Sequence, residues 1–182
     1  MARVGLVERR DQLGPEQQAV WDLIARSRGQ VAGPFAVLLH SPAIARGTAE
    51  LGAYIRFESG LDARDRELAV LTVARELDCR YEWAGHAREA RRAGVREEAI
   101  AALRERKAPV GLTADEAQIV DYVRQLLRDH RVDAATFDAL RERLGLERLV
   151  ELTATAGYYG MIAATLNAFE VTPPEGDDLL PV

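Results

Sequence analysis

The chain has 182 residues, of which 48% are hydrophobic and 29% are charged, and it carries a formal net charge of −5. This length suits one domain with a sizeable core, and the modest negative charge argues against a nucleic-acid partner. The single cysteine excludes an internal disulfide and suits a reducing cytoplasm. We therefore predict a cytoplasmic protein with one domain over residues 1–182.

Proline and glycine residues mark helix boundaries in the first third of the chain. Pro15 and Gly29 enclose one predicted helix, and Pro42 and Gly60 enclose a second that is rich in small residues. The apolar run at residues 35–42 is too short for periodicity to distinguish helix from strand. The first helix is expected to turn three side chains toward the core, namely Trp21, Leu23 and Ile24.

The middle of the chain predicts two consecutive helices. Apolar side chains recur at helical spacing from Arg64 to Leu77, which predicts an amphipathic helix. Asp78 is expected to cap a second helix that begins near Cys79 and ends before Gly94.

The last third predicts four more helices and no strands. Their predicted spans are Val95 to Leu103, Ala114 to about Asp129 after a capping box at Thr113, a helix from Asp133 to Gly145, and about Glu147 to Phe169. The apolar stretch Leu149 to Val171 contains Glu151, Asn167 and Glu170, which indicates a buried helix and no membrane partner. The predicted fold class is all-α, a single-domain bundle of about eight helices.

The chemically active side chains gather on the two middle helices. Cys79, Glu82 and His86 are three and four residues apart, so they share one helix face. Glu82 is expected to orient His86 and favour its protonated form. Cys79 in the first helical turn is expected to feel the positive end of the helix dipole, which lowers a thiol pKa. Glu67 on the preceding helix completes the predicted catalytic set.

Two plainer interpretations stand beside this one. A glutamate and a histidine one turn apart also form solvated surface pairs, and a lone cysteine is often a small buried hydrophobe. Neighbouring aromatic side chains favour a partly dry pocket instead. The predicted substrate-binding residues are Phe35, His40, Tyr81, Trp83 and Tyr158.

The stretch from Arg64 to Gly94 resembles the carboxymuconolactone decarboxylase family, which shares its fold with alkylhydroperoxidase D-like proteins. The peroxidase branch has a glutamate twelve residues before a Cys-x-x-Cys, and a histidine four residues after it. Glu67, Cys79 and His86 reproduce that spacing, but Glu82 replaces the second cysteine. The decarboxylase branch has a glutamate four residues before the histidine, as Glu82 stands before His86. The resemblance extends over about residues 33–171, including GYYGMIAATLNAFEV near the end.

This resemblance implies an alkylhydroperoxidase D-like helical bundle that assembles into trimers or hexamers. It also implies a lyase that acts on a small carboxylated or lactone-type substrate without a cofactor or a metal. The alternatives that stay open are a one-cysteine thiol peroxidase and a non-catalytic helical oligomer that binds small molecules. Because Cys79 has no second cysteine to resolve its sulfenic acid, we expect no dithiol peroxidase activity.

Overall fold

The computed structural model describes residues 2–174 and 178–181. Over these residues the chain forms nine α-helices and no strand, which confirms the predicted all-α class. The helices are α1 (Pro15–Arg28), α2 (Pro34–Leu38), α3 (Pro42–Ala53), α4 (Ala63–Glu76), α5 (Arg80–Arg92), α6 (Glu97–Arg104), α7 (Ala114–Arg128), α8 (Ala134–Leu144) and α9 (Leu146–Ala168). A 3-10 turn precedes α1 at Arg10–Gln12, and a π-helical turn extends α3 at Tyr54–Glu58.

The chain divides into two compact units. The first comprises the described residues of Met1–Ser59 and Ala164–Thr172, and the second those of Gly60–Ala163 and Pro173–Val182. The single domain inferred from chain length stays a prediction.

In the first unit, α1 packs against α3. The helix α1 begins at Pro15 and ends at Gly29, whose left-handed φ of 76° suits glycine, as the sequence predicts. The ambiguous apolar run becomes the short helix α2. Of the three side chains expected to face the core, Ile24 is fully buried, whereas Trp21 and Leu23 are half-buried at its margin.

The helix α4 is the centre of the second unit and packs against α5, α6 and α7. Every residue from Glu67 to Arg75 is buried, so the predicted amphipathic helix is wrong in one respect. The helices packed against α4 leave no solvent-exposed polar face over these residues. Thr72 lies in the interior because its hydroxyl donates to the backbone carbonyl of Leu68. Because α4 is a buried central helix, two of its charged side chains, Glu67 and Arg75, lie in the interior.

The turn between α4 and α5 corrects a second prediction. Cys79, and not Asp78, occupies the N-cap position of α5. Asp78 has a left-handed φ of 49°, and its carboxylate accepts hydrogen bonds from Arg106 at 2.7 and 2.9 Å. Because this ion pair and this backbone conformation direct the carboxylate away from α5, Asp78 does not cap the helix.

The later helices follow their predicted capping signals. Thr113 and Glu116 form the capping box of α7, and the Asp133 side chain accepts from the Thr136 amide at the start of α8. The helix α9 buries one side but exposes Leu146, Val150 and Met161 on the other, so it is only partly the buried helix expected. No helix in the described part of the chain is long and apolar enough to span a membrane.

Candidate functional site

The shortest contact at the site joins Glu67 of α4 to His86 of α5. The ring Nδ1 of His86 donates to Oε2 of Glu67 at 2.7 Å, and both side chains are buried. The helices α4 and α5 form a hairpin with its turn at Leu77, and Glu67 and His86 lie nearly the same number of residues from that turn. Residues 67 and 86 therefore lie opposite each other across the hairpin.

Glu82 lies one helical turn before His86 and approaches the other ring nitrogen. Its Oε2 is 3.4 Å from Nε2 of His86. Helical spacing predicts Glu82 as the orienting partner of His86, but the shorter contact belongs to Glu67. A pattern along one helix reveals only the neighbour on that helix, whereas the closer carboxylate comes from across the hairpin.

The two carboxylates determine the charge of His86. Burial lowers the pKa of this imidazole and is the largest single influence. Hydrogen bonds to Glu67 and Glu82, together with their negative charges, outweigh burial and raise the pKa of His86 to about 9. The ring is thus an imidazolium at neutral pH, which is the direction that the sequence predicts.

Cys79 does not have the reactive character expected from its helix position. Its side chain is fully buried, and this burial is the largest of the influences that raise the pKa of the thiol to about 12. The backbone amides of Glu82 and Tyr81 lower the pKa, but the Glu82 charge raises it further. The expected lowering of the thiol pKa is wrong, because the loss of water around the sulfur outweighs the effect of the positive end of the helix dipole.

The predicted aromatic residues have different surroundings. Trp83 is fully buried in the core of the second unit, and Tyr81 is half-buried on α5. Tyr158 packs edge to face on Tyr159 at 5.1 Å between ring centroids. Tyr159, which the sequence analysis does not select, is the ring that contacts His86, at 4.8 Å and also edge to face. A pair of adjacent tyrosines offers no periodic signal to tell which of them faces the site.

Phe35 and His40 belong to the first unit. Phe35 is buried in the core beneath the guanidinium of Arg28, which lies 4.4 Å from the ring centroid. His40 is exposed, and its Nε2 is 2.8 Å from the carbonyl oxygen of Gly5. Their substrate-binding roles, like those of Tyr81, Trp83 and Tyr158, stay predictions.

Arg66 is a neighbour of the site that the sequence analysis missed. Its Nε lies 3.4 Å from Oε1 of Glu67, whose other oxygen binds His86. The two acids engage opposite nitrogens of the ring instead of converging on one point. Within the described residues, no group of His, Cys, Asp and Glu has an arrangement that could hold a metal ion.

The second unit also contains a cavity of about 400 Å³. Asp65, Leu68, Arg96 and Arg143 are among its lining residues. None of the predicted site residues lines this cavity, so it is distinct from the Glu67–His86 pair.

The fold is that of the alkylhydroperoxidase D-like proteins. A peroxidase-related protein from Ralstonia eutropha JMP134, described as an alkylhydroperoxidase AhpD core, superposes with a TM-score of 0.76 at 19% identity over 93% of this chain and 90% of that one. A peroxidase-related protein from Silicibacter sp. TM1040 has a TM-score of 0.72 at 16% identity over 96% and 94% of the two chains. A protein of unknown function from Agrobacterium tumefaciens has a TM-score of 0.68 at 21% identity over 79% and 99%.

Part of the sequence matches the model of a known family. Residues 42–125, which include Glu67, Cys79, Glu82 and His86, match the model of the carboxymuconolactone decarboxylase family. The chain is similar to this family over that segment, which is somewhat less than half of its length. The matched segment is shorter than the predicted resemblance over about residues 33–171. No curated protein matches the chain.

Proposed function

We propose that the chain is a cofactor-independent lyase in which His86 delivers a proton to a small carboxylated or lactone-type substrate. The observation that carries this proposal is the imidazolium held between Glu67 and Glu82, with a pKa of about 9. A buried group of this kind is a proton donor at neutral pH, where an ordinary histidine is mostly neutral. The family name supports decarboxylation as the reaction class.

The proposed reaction needs little besides a proton and an oriented substrate. The bond between the substrate carbon and its carboxylate breaks, carbon dioxide leaves, and the electron pair remains on carbon and a conjugated carbonyl oxygen. His86 then gives its proton to that carbon and is reprotonated by water. The Nε2–H is the better donor, since its contact to Glu82 is 3.4 Å whereas Nδ1 is held at 2.7 Å by Glu67.

Carbon dioxide release from a panel of small lactone carboxylates tests this role. We expect turnover in the wild type that falls on the alkaline side near pH 9, because the acid must be protonated, and that is lost in His86→Gln. Glu89→Gln is a matched control, since Glu89 lies on the same helix but pairs with Arg92. If His86→Gln turned over a lactone carboxylate as fast as the wild type, the assignment would be wrong.

A second candidate is a non-catalytic helical protein in which the polar trio is structural. This alternative is favoured by burial, since Glu67, Glu82 and His86 are each less than a tenth exposed and satisfy one another. It predicts that lactone carboxylates leave the NMR signals of the His86 ring unchanged at any concentration. The lyase proposal predicts that these ring signals shift as the ligand is added and that the shifts reach saturation.

The one-cysteine peroxidase is the weaker alternative for this chain, although two of the similar structures are described as peroxidase-related. Attack on a peroxide needs a thiolate, and Cys79 is fully buried with a pKa of about 12. Peroxide consumption with an external thiol should therefore be equal in the wild type and Cys79→Ala.

We further propose a cytoplasmic homo-oligomer, a trimer or hexamer. Its support is the exposed apolar face of α9, where Leu146, Val150 and Met161 lie at helical spacing. Sedimentation should show a multiple of the 20.1 kDa chain that Val150→Lys reduces. A monomeric wild type would refute the proposed assembly.

A further inference from the structure

Arg66 is joined to the imidazolium of His86 through one shared carboxylate. Its Nε approaches Oε1 of Glu67 at 3.4 Å, while Oε2 of the same group accepts from His86 at 2.7 Å. Among the described residues, the two terminal nitrogens of Arg66 have no hydrogen-bond partner. The arginine pairing at Glu76 of α4 differs, because Arg124 and Arg128 together engage both oxygens of that carboxylate at 2.6 to 2.9 Å.

The charges of the site show which group can accept an incoming anion. Two carboxylates, an imidazolium and a guanidinium balance at neutral pH, and each ring nitrogen of His86 already faces a carboxylate. The open donors therefore belong to Arg66. Its side chain is also the most exposed of the four, at 15% against 6% for Glu67, 8% for Glu82 and 11% for His86.

We propose that Arg66 binds a carboxylate of the substrate through its terminal nitrogens and thereby makes the site specific for small carboxylate anions. This inference rests on the proposed function, since it supplies an anion-binding group for the substrate on which His86 is proposed to act. A guanidinium presents paired N–H groups that match the two oxygens of a carboxylate. A lysine at the same position would supply the charge but not this paired geometry.

The anchored carboxylate is not the one that leaves as carbon dioxide. A guanidinium stabilises the negative charge that the leaving carboxylate must give up, so tight binding there would raise the barrier to its loss. Arg66 therefore holds a carboxylate that remains on the product. The substrate class is a compact molecule with a second acidic group to lose.

Binding of γ-butyrolactone-γ-carboxylate and of its neutral methyl ester tests the assignment, with the His86 ring signals followed by NMR. We expect the wild type to bind the acid more tightly than the ester. Arg66→Gln should weaken binding of the acid by about tenfold or more, as expected for loss of a charge-assisted hydrogen bond. Binding of the ester should be unchanged. Arg66→Lys should recover part of the preference. Arg64→Gln is the matched control, since Arg64 carries the same charge two residues earlier on an exposed side chain.

The result that overturns the proposal is equal binding of acid and ester by the wild type, or equal weakening of both by Arg66→Gln. The latter would indicate a structural role, because a folding defect does not distinguish charge on the ligand. The His86→Gln variant separates this inference from the proposed function, with the ligand then followed through backbone amide signals. If the His86→Gln variant still prefers the acid, but the wild type turns over no lactone carboxylate, the role of Arg66 is supported and the lyase proposal is wrong. If the wild type turns over a lactone carboxylate but shows no preference for the acid, only the proposed role of Arg66 is wrong.

Discussion

Replacing Glu67 by glutamine tests the electrostatics of the site directly. The pKa of His86 rises from 6.5 to about 9, which at about 1.4 kcal/mol per pH unit favours the buried imidazolium by about 3 kcal/mol. Glu67→Gln removes the closer of the two charges, while burial continues to oppose the imidazolium. We expect the pKa of His86 to fall toward or below 6.5, and to fall further than in Glu82→Gln, whose contact is longer.

The same shift has a consequence for stability. A histidine whose pKa is raised in the folded state stabilises it fully below the unfolded pKa, and this contribution disappears as the pH rises through the folded pKa. The free energy of unfolding should therefore lose about 3 kcal/mol from this group between pH 6.5 and 9. In Glu67→Gln that loss should be largely absent.

The assay is an NMR titration of the histidine ring protons, in which His86→Gln identifies the His86 signal among the three histidines. Denaturant unfolding at a series of pH values gives the second measurement. Glu89→Gln is the control, because it removes a charge from the same helix without touching His86. An unchanged His86 titration in Glu67→Gln would refute the reasoning, since the shortest contact would then have no electrostatic effect.

Three further predictions concern the core and the helix ends. Cys79 should react with a thiol reagent only after denaturant is added, because the sulfur is fully buried; rapid labelling of the native chain would contradict this. Leu71→Ala should lower the free energy of unfolding by about 2–5 kcal/mol, whereas Leu51→Ala, at an exposed position, should change it by about 0.5 kcal/mol or less. Thr113→Ala should cost about 1 kcal/mol by removing the N-cap of α7, and an equal effect of Thr113→Ser would show that the cap is not the cause.

The helices were predictable where local chemistry determines them. Pro15, Gly29, Thr113 and Asp133 act on backbone groups within a few residues, so their effects can be inferred without the fold. Asp78 shows the limit of this reasoning. A residue suited to a cap was engaged instead by Arg106, a partner that is distant in sequence.

The same distinction explains the candidate site. The pairing of Glu82 with His86 follows from helical spacing alone. The contact from Glu67 depends on how α4 folds back on α5, and the contact from Tyr159 depends on α9, which no periodicity relates to His86. Burial, which decides the behaviour of Cys79, is likewise a property of the packed helices and not of the motif.

Glu82 connects the acid and the thiol, because its carboxylate acts on both. Its negative charge helps to raise the pKa of His86 and also raises the pKa of Cys79. The residue that favours a proton donor at position 86 therefore disfavours a thiolate at position 79. Glu82→Gln should lower both pKa values, so that the ultraviolet absorbance of the Cys79 thiolate appears at a lower pH while the His86 titration moves toward acid. The substitution should remove a smaller fraction of the pKa shift at Cys79 than at His86. Burial is the largest cause of the shift at Cys79, and Glu82→Gln leaves this burial in place. If the His86 titration moved while the thiolate absorbance kept its pH dependence, the Glu82 charge would be acting on the imidazole alone, and the opposition between the protonated His86 and a Cys79 thiolate would be wrong.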